Sequence, residues 1–333
     1  MIGQRTRTSS CCIFSVAAVC CLALLAGLLY LAPWQSSQAD PVNLGTNKWL
    51  GYEPAYVASR HGLYGDTKVQ LSQFPSASET LQAFRDGRID VAGVTLDEAF
   101  LLARRGVAIK IILVADISNG ADAIMSQPEI RSMDNLRGKK VGVENTALGD
   151  YVLARALQIH GLGDSQITQI PLTADQTVAA FRSREVDAVV TFEPFKSSIA
   201  KLGGIKIFDS SEIPDEVVDV LIVRSELARQ NPAAIKAIVS GWLKANELVK
   251  KRDPDVMREM AGRLGTTEDD LKRTLQDIKI PSLVENVDLL TSPSGLAATS
   301  KKLAPVLDRR NRAAIPFDPW LLLTAEFLPK EAP

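Results

Sequence analysis

Residues 76–95, SASETLQAFRDGRIDVAGVT, are echoed 97 positions later by TADQTVAAFRSREVDAVVT, starting at Thr173. At that offset Ala77 matches Ala174, Thr80 matches Thr177, Ala83-Phe84-Arg85 matches Ala180-Phe181-Arg182, and Asp90 matches Asp187. Each phrase opens on a capping box, Ser76-x-x-Glu79 or Thr173-x-x-Gln176. In such a box the hydroxyl accepts a free backbone N–H and the longer side chain reaches back. Each phrase then runs through an amphipathic helix into a short apolar strand. Chance likeness between amphipathic helices explains the Ala and Phe matches. It explains less well a shared cap, a Phe-Arg pair and an Asp at one constant offset. The chain therefore reads as two similar units.

The surrounding pattern gives the class of those units. VNLGT, KVQLSQF, DVAGV and IKIILVADI read as strands, separated by the helices EPAYVASRHGLY, ASETLQAFRDG and LDEAFLLARRG. The cycle restarts with the strands KKVGVE, ITQIPL, DAVVTF and IKIF, separated by ALGDYVLARALQIHG, ADQTVAAFRS and EPFKSSIAKLGG. Alternating strand and helix predicts an α/β fold with largely parallel sheets. From Arg224 onward the pattern is helical, punctuated by Pro232, Pro254, Pro281 and Pro293, and no strand alternation is evident.

The N-terminal segment stands apart. Arg5 and Arg7 precede an apolar run from Cys11 to Pro33, and Ser37 and Ala39 occupy the −3 and −1 positions of a cleavage site. Residues 1–39 are expected to be an export signal. The run is also long enough to be an uncleaved inner-membrane anchor over residues 11–33. All four cysteines (Cys11, Cys12, Cys20 and Cys21) lie in this segment, so the rest of the chain has neither disulfide nor thiol chemistry. Beyond residue 39 there are 36 basic and 39 acidic residues, a near balance that gives no field for nucleic acid. The two histidines, His61 and His160, each end a helix beside a glycine, so neither metal nor cofactor is expected.

WLGYEPAYVASRHGLY, FPSASETLQAFRDGRIDVAGVTLDEA, ISNGADAIMSQPEIRSMDNLRGKKVGVENTALGDYVLARAL, FRSREVDAVVTFEPF and NPAAIKAIVSGWLKA together resemble the periplasmic substrate-binding proteins of ABC importers. The nearest group is the nitrate, sulfonate, taurine and thiamine-precursor binders. The resemblance implies a type II periplasmic-binding-protein fold, with two α/β lobes around a ligand cleft and a helical C-terminal extension. Lobe I would be residues 40–120 and 216–333, and lobe II residues 121–215. The chain would cross between them near ADISNGADA and SEIPDEVVDV. The implied function is a non-enzymatic, monomeric, periplasmic receptor that delivers a small polar nitrogen- or sulfur-containing solute to an inner-membrane ABC permease. A membrane-anchored ligand sensor and a thiamine-pyrimidine-related enzyme of the same fold remain as alternatives.

Ligands in open α/β sheets meet strand ends and helix starts. Those positions give the candidate site. Trp49 and Tyr52 would be aromatic walls or core. Ser76, Asn145 and Thr146 would offer helix-start polar groups, Ser76 being also explained as a cap. Thr95 and Asp97 lie in TLDEA, and Asn119 and Asp219 lie on the crossings. Glu53 and Glu193 precede prolines at helix starts, where an acid suits the helix dipole even without a ligand. The cleft segments carry Glu53, Asp97, Glu144, Glu193 and Asp219 against one base, Lys48. That balance favours a neutral-to-cationic nitrogenous ligand over a sulfonate.

Overall fold

The computed structural model describes Met1, residues 40–310 and residues 318–331. Apart from Met1, the expected signal over residues 1–39 and the expected anchor over residues 11–33 lie outside the described residues. Among the described residues no helix is long and apolar enough to cross a membrane.

Among the described residues eleven strands form two sheets. The first contains β1 (Val42–Asn47), β2 (Val69–Phe74), β3 (Val91–Thr95), β4 (Ile109–Ser118), β10 (Val218–Arg224) and β11 (Ile278–Lys279), in the order β11-β4-β10-β3-β1-β2. The second contains β5 (Asp122–Ser126), β6 (Lys140–Glu144), β7 (Thr168–Leu172), β8 (Ala188–Phe192) and β9 (Ile205–Asp209), in the order β7-β6-β8-β5-β9. Apart from β11, the orders are the same. In each sheet one antiparallel strand, β10 or β5, is inserted between the third and fourth parallel strands.

The sequence repeat has a structural cause. Asp90 Oδ2 accepts the backbone N–H of Asn43 at 3.0 Å, and Asp187 Oδ2 accepts that of Lys140 at 2.8 Å. Each aspartate thus ties the start of its unit's third strand to the start of its first. Leu44 pairs with Val91 and Val141 with Ala188, again 97 residues apart. Phe84 and Phe181 are both buried beneath their sheets. Gly45 and Gly142 keep the matching strands open: a Cβ would come within 2.5 Å of Ile89 in one unit and of Leu172 in the other.

The chain passes between the sheets at the two expected places, after β4 near ADISNGADA and after β9 near SEIPDEVVDV. The pattern gives no strand for β5 or β10, which begin inside those segments, yet both are buried strands, so each sheet is mixed. Their apolar runs, AIM and VLIV, are short and follow Gly or Pro, which reads locally as a connection; pairing on both sides makes them strands. The C-terminal part is also not purely helical, because β11 adds to the free side of β4.

The helices that position the site are α1 (Glu53–Arg60), α2 (Ala77–Arg85), α3 (Leu96–Arg104), α4 (Ala147–Ile159), α5 (Thr177–Arg182) and α6 (Phe195–Lys201). Six more follow β10: α7 (Ser225–Gln230), α8 (Pro232–Lys250), α9 (Pro254–Leu264), α10 (Glu268–Thr274), α11 (Leu283–Thr291) and α12 (Leu296–Arg310). The α8 helix lies on α1 with Trp242 fully buried, and α11 presents Asn286 to Val114 of β4, accepting its N–H at 2.7 Å.

Candidate functional site

The strand ends of both sheets face one cavity of about 40 Å³, room for roughly three waters. The first sheet contributes Asn47 at the end of β1, Trp49 and Tyr52 after it, Thr95 and Glu98 around the start of α3, and Asp219 from β10. The second contributes Asp122 from β5, Glu144 at the end of β6, Thr146 and Gly149 at the start of α4, and Thr191 and Phe192 at the end of β8. Four of the lining residues are acids, and none is Lys, Arg or His.

The acids belong to a buried network. Asp219 stands in register between Thr95 on β3 and Asp116 on β4. The ladder carries a bulge at Ala115, beside this pair, and bulges re-aim neighbouring side chains. The Tyr52 hydroxyl donates to Asp219 Oδ1, and Trp49 Nε1 donates to Asp116 Oδ2 at 3.0 Å. Two glycines make room: a Cβ on Gly51 would sit 1.7 Å from Asp116 Oδ2, and one on Gly93 2.9 Å from the Tyr52 ring. Glu98 Oε2 accepts the Thr95 N–H at 3.1 Å. Glu98 Oε1, Asp122 Oδ2 and Thr191 Oγ1 are buried without a hydrogen-bond partner.

Burial disfavours the charged form of these carboxyls. It pushes Glu98 and Asp116 up to about 8, and Asp122 to about 7. The neighbouring acids add to it: Asp97 beside Glu98, and Asp122 beside Asp116. Asp219 is held well above the usual carboxylate range by burial and then by Asp116, and Glu144 is raised by burial. A cavity of this kind offers acceptors and latent negative charge. It suits a guest that brings N–H donors or a positive charge.

Contacts between the two sheets' elements surround the cavity. Ser78 on α2 donates to Glu144 Oε1 from its backbone N–H at 3.1 Å and its hydroxyl at 2.6 Å. Trp49 meets Phe192 edge-on, with ring centroids 5.7 Å apart. Lys196 on α6 donates to Asp277 at 2.7 Å and to the carbonyl of Gly120 at 2.8 Å.

Of the residues singled out from sequence, the cavity gathers Trp49, Tyr52, Thr95, Glu144, Thr146 and Asp219, and the others lie elsewhere. Asp219 sits in a strand rather than on a crossing. Glu53 is buried against Arg263 Nε at 2.8 Å, away from the cavity. Burial raises the Glu53 carboxyl to about 7, and Lys48, on that same side, only partly offsets this together with Arg263. Ser76 caps α2, accepting the Glu79 N–H at 3.2 Å. Asp97 is buried at the start of α3 outside the cavity lining, and burial lifts its carboxyl to about 6. Asn119 is exposed, with its backbone N–H on the Asp277 carbonyl at 2.7 Å. Asn145 is exposed and lines a neighbouring pocket. Glu193 accepts from Ser197 N and Oγ at 3.2 and 2.9 Å and lies 3.4 Å from Lys196, as a helix-start acid does.

Sequence reasoning missed Glu98, Asp116 and Asp122. Glu98 was legible as the fourth member of a Thr95-x-x-Glu98 capping box. Asp116 and Asp122 were not, because one lies mid-strand and the other in a strand read as a connection.

Residues 35–265 match the model of the NMT1-like family. The chain belongs to this family. Taurine-binding periplasmic protein from Escherichia coli (strain K12) is 24% identical to this NMT1-like chain over 280 residues, covering 80% of the chain and 83% of that protein. The alkanesulfonate-binding protein SsuA from Xanthomonas axonopodis pv. citri, solved bound to MOPS, has a TM-score of 0.69 at 19% identity, covering 86% of this chain and 97% of its own. The desulfurization enzyme DszB has a TM-score of 0.61 at 17% identity, again covering 86% and 97%. This NMT1-like protein therefore has the periplasmic-binding-protein fold, on which both solute receptors and an enzyme are built. The Escherichia coli relative is named as a binding protein.

Proposed function

We propose that this NMT1-like protein is an exported, periplasmic solute-binding protein of an ABC import system. It takes a small nitrogenous solute, neutral to cationic at the end that enters the cavity, and presents the closed form to a membrane permease. Residues 40–120 and 216–333 act as one lobe and residues 121–215 as the other, closing on the ligand by a hinge motion. Trp49, Tyr52, Thr95, Glu144, Thr146 and Asp219 are assigned to the ligand, with Glu98 and Asp122 added.

The observation that carries this reading is the lining: Glu98, Asp122, Glu144 and Asp219 with no base among them. An anion placed there would meet carboxyls at close range. A protonated amine or an N–H-rich heterocycle would satisfy the bare oxygens of Glu98 and Asp122 and could lie against Trp49 or Tyr52. A thermal-shift panel of amines, aminopyrimidines, nitrate and nitrogen-free sulfonates tests it, since a ligand that binds the folded state alone raises its melting temperature. Amines or aminopyrimidines should give the large shifts. Large shifts confined to nitrate or nitrogen-free sulfonates would refute the reading.

A further inference from the structure

Two of the cavity's four carboxyls have an oxygen with nothing to bond to. Glu144 is gripped by Ser78, and Asp219 accepts from Tyr52. Glu98 accepts the Thr95 N–H on Oε2, but its Oε1 is buried without a partner, and so is Asp122 Oδ2. Both side chains line the cavity, and the two residues are 2% and 3% exposed.

The groups that face these two acids are mostly acids themselves. Glu98 lies in the field of Asp97 on its own helix and of Glu144 from β6, and it acts in turn on Asp219 and on the Tyr52 phenol. Asp122 lies in the field of Asp97 and Glu193, and it acts in turn on Asp116 and Asp219. The cation that acts on Asp122 is Lys196 of α6. Its ammonium is already engaged, 2.7 Å from Asp277, 2.8 Å from the Gly120 carbonyl and 3.4 Å from Glu193.

A buried carboxyl without a cationic partner avoids an unpaired charge by keeping its proton. Burial pushes Glu98 up to about 8 and Asp122 to about 7, and Asp97 adds to both. A cation entering the cavity supplies the missing partner and makes a carboxylate beside it favourable. Were the proton to stay, the enclosed space would hold an unpaired positive charge, which is costly in a buried site.

We propose that solute binding is a cation-for-proton exchange at Glu98 and Asp122: as the cation settles against them, the O–H bond of one carboxyl breaks, the proton leaves to solvent, and the net charge of the cavity is unchanged. The proposal rests on the cationic reading of the solute and adds how uptake and release depend on protons. Acid returns the proton to the carboxyl and expels the cation, so affinity is lost as pH falls.

Calorimetric titration with guanidinium, acetamidinium and methylammonium tests it. All three are compact and stay charged from pH 6 to pH 8, so a proton counted on binding comes from the protein. In buffers of differing ionisation enthalpy at pH 6.5, the tightest binder should release about one proton per cation. Its Kd should fall about tenfold from pH 6 to pH 7, the slope for one proton released, and level off above pH 8. Glu98→Gln and Asp122→Asn each remove one exchanging carboxyl. The variant that lacks the proton donor should bind at least about tenfold more weakly at pH 8, with a Kd that changes less than about threefold from pH 6 to pH 7. If a cation binds, yet releases no proton and keeps one Kd from pH 6 to pH 8, the exchange is wrong and the cationic reading stands. If the pH slope survives in both variants, the proton comes from another group and the assignment to Glu98 and Asp122 is overturned. If none of the three cations binds, the cation-accepting reading of the cavity fails and the exchange with it. The buffer measurement needs no variant, so it decides the proposal even if a substitution prevents folding.

Discussion

Ser78 grips Glu144 with both its backbone N–H and its hydroxyl, at 3.1 and 2.6 Å. Ser78 belongs to a helix on the first sheet, and Glu144 ends a strand of the second. The contact is therefore a clasp across the cavity. On the hinge motion proposed above, closing the cleft would make it and opening the cleft would break it.

Removing the hydroxyl with Ser78→Ala should raise the ligand off-rate and weaken binding about tenfold, the scale of one hydrogen bond to a carboxylate. The melting temperature of the ligand-free protein should change little, because Ser78 is only half-buried. Stopped-flow dissociation and calorimetry with the best ligand from the panel measure both. An unchanged off-rate would show that the clasp plays no part in holding the closed state.

The raised carboxyls give a sign to the pH dependence. Glu98 and Asp116 sit near 8, Asp122 and Glu53 near 7 and Asp97 near 6, with burial the first cause in each. In the unfolded chain they titrate near 4. Between about pH 4 and 8 the folded protein keeps protons that the unfolded chain has lost, so stability falls as pH rises through that window. Asp209 and Glu216, lowered by Lys206 and Arg155, act oppositely, but only at the acid end where they are protonated. The ligand-free melting temperature should therefore drop between pH 5 and pH 8, and a cationic ligand should flatten the drop. A rise across that window in scanning calorimetry would contradict the burial argument.

The two-unit plan was legible because its signals are local. Asp90 and Asp187 recur at one offset, since each closes a strand start, and Phe84 and Phe181 recur because each plugs the same core. The inserted strands were not legible. Val218–Arg224 takes its place only by pairing with β3 and β4, which lie more than a hundred residues earlier. The site was half legible for the same reason. Trp49, Thr95 and Thr146 follow recognisable strands. Asp116 and Asp122 matter through a burial that no neighbour in sequence announces. Glu53 looked equivalent to a cavity acid, and its true partner, Arg263, lies 210 residues away.

Gly51 should tolerate no side chain. A Cβ there would stand 1.7 Å from Asp116 Oδ2 and 2.6 Å from Trp49 Nε1. Both atoms belong to one buried hydrogen bond and neither is a free chain end. Gly51→Ala should cost about 1–3 kcal/mol, the usual scale of overpacking. In a domain of this size that lowers the melting temperature by about 2–4 °C per kcal/mol. Gly262→Ala is the control, since nothing lies within 4 Å of its added methyl. Equal melting temperatures for the two variants would mean that the Trp49–Asp116 contact is not formed in solution.

Asp219 and Glu193 separate the two roles an acid can have here. Asp219 lines the cavity and accepts from Tyr52, whereas Glu193 bonds to Ser197 and Lys196 at the start of α6. Asp219→Asn keeps an oxygen for the Tyr52 hydroxyl and removes the charge. A cationic ligand should then bind at least about tenfold more weakly, as expected for losing a desolvated charge partner. The same change removes a carboxyl whose ionisation burial disfavours, so the ligand-free variant should melt no lower than wild type at pH 8. Glu193→Gln should do the reverse, leaving affinity within about threefold and loosening the α6 start by roughly 1 kcal/mol. Calorimetry and melting on both variants decide between the assignments. If Glu193→Gln weakens binding as much as Asp219→Asn does, the ligand reaches beyond the cavity described, and Glu193 is part of the site after all.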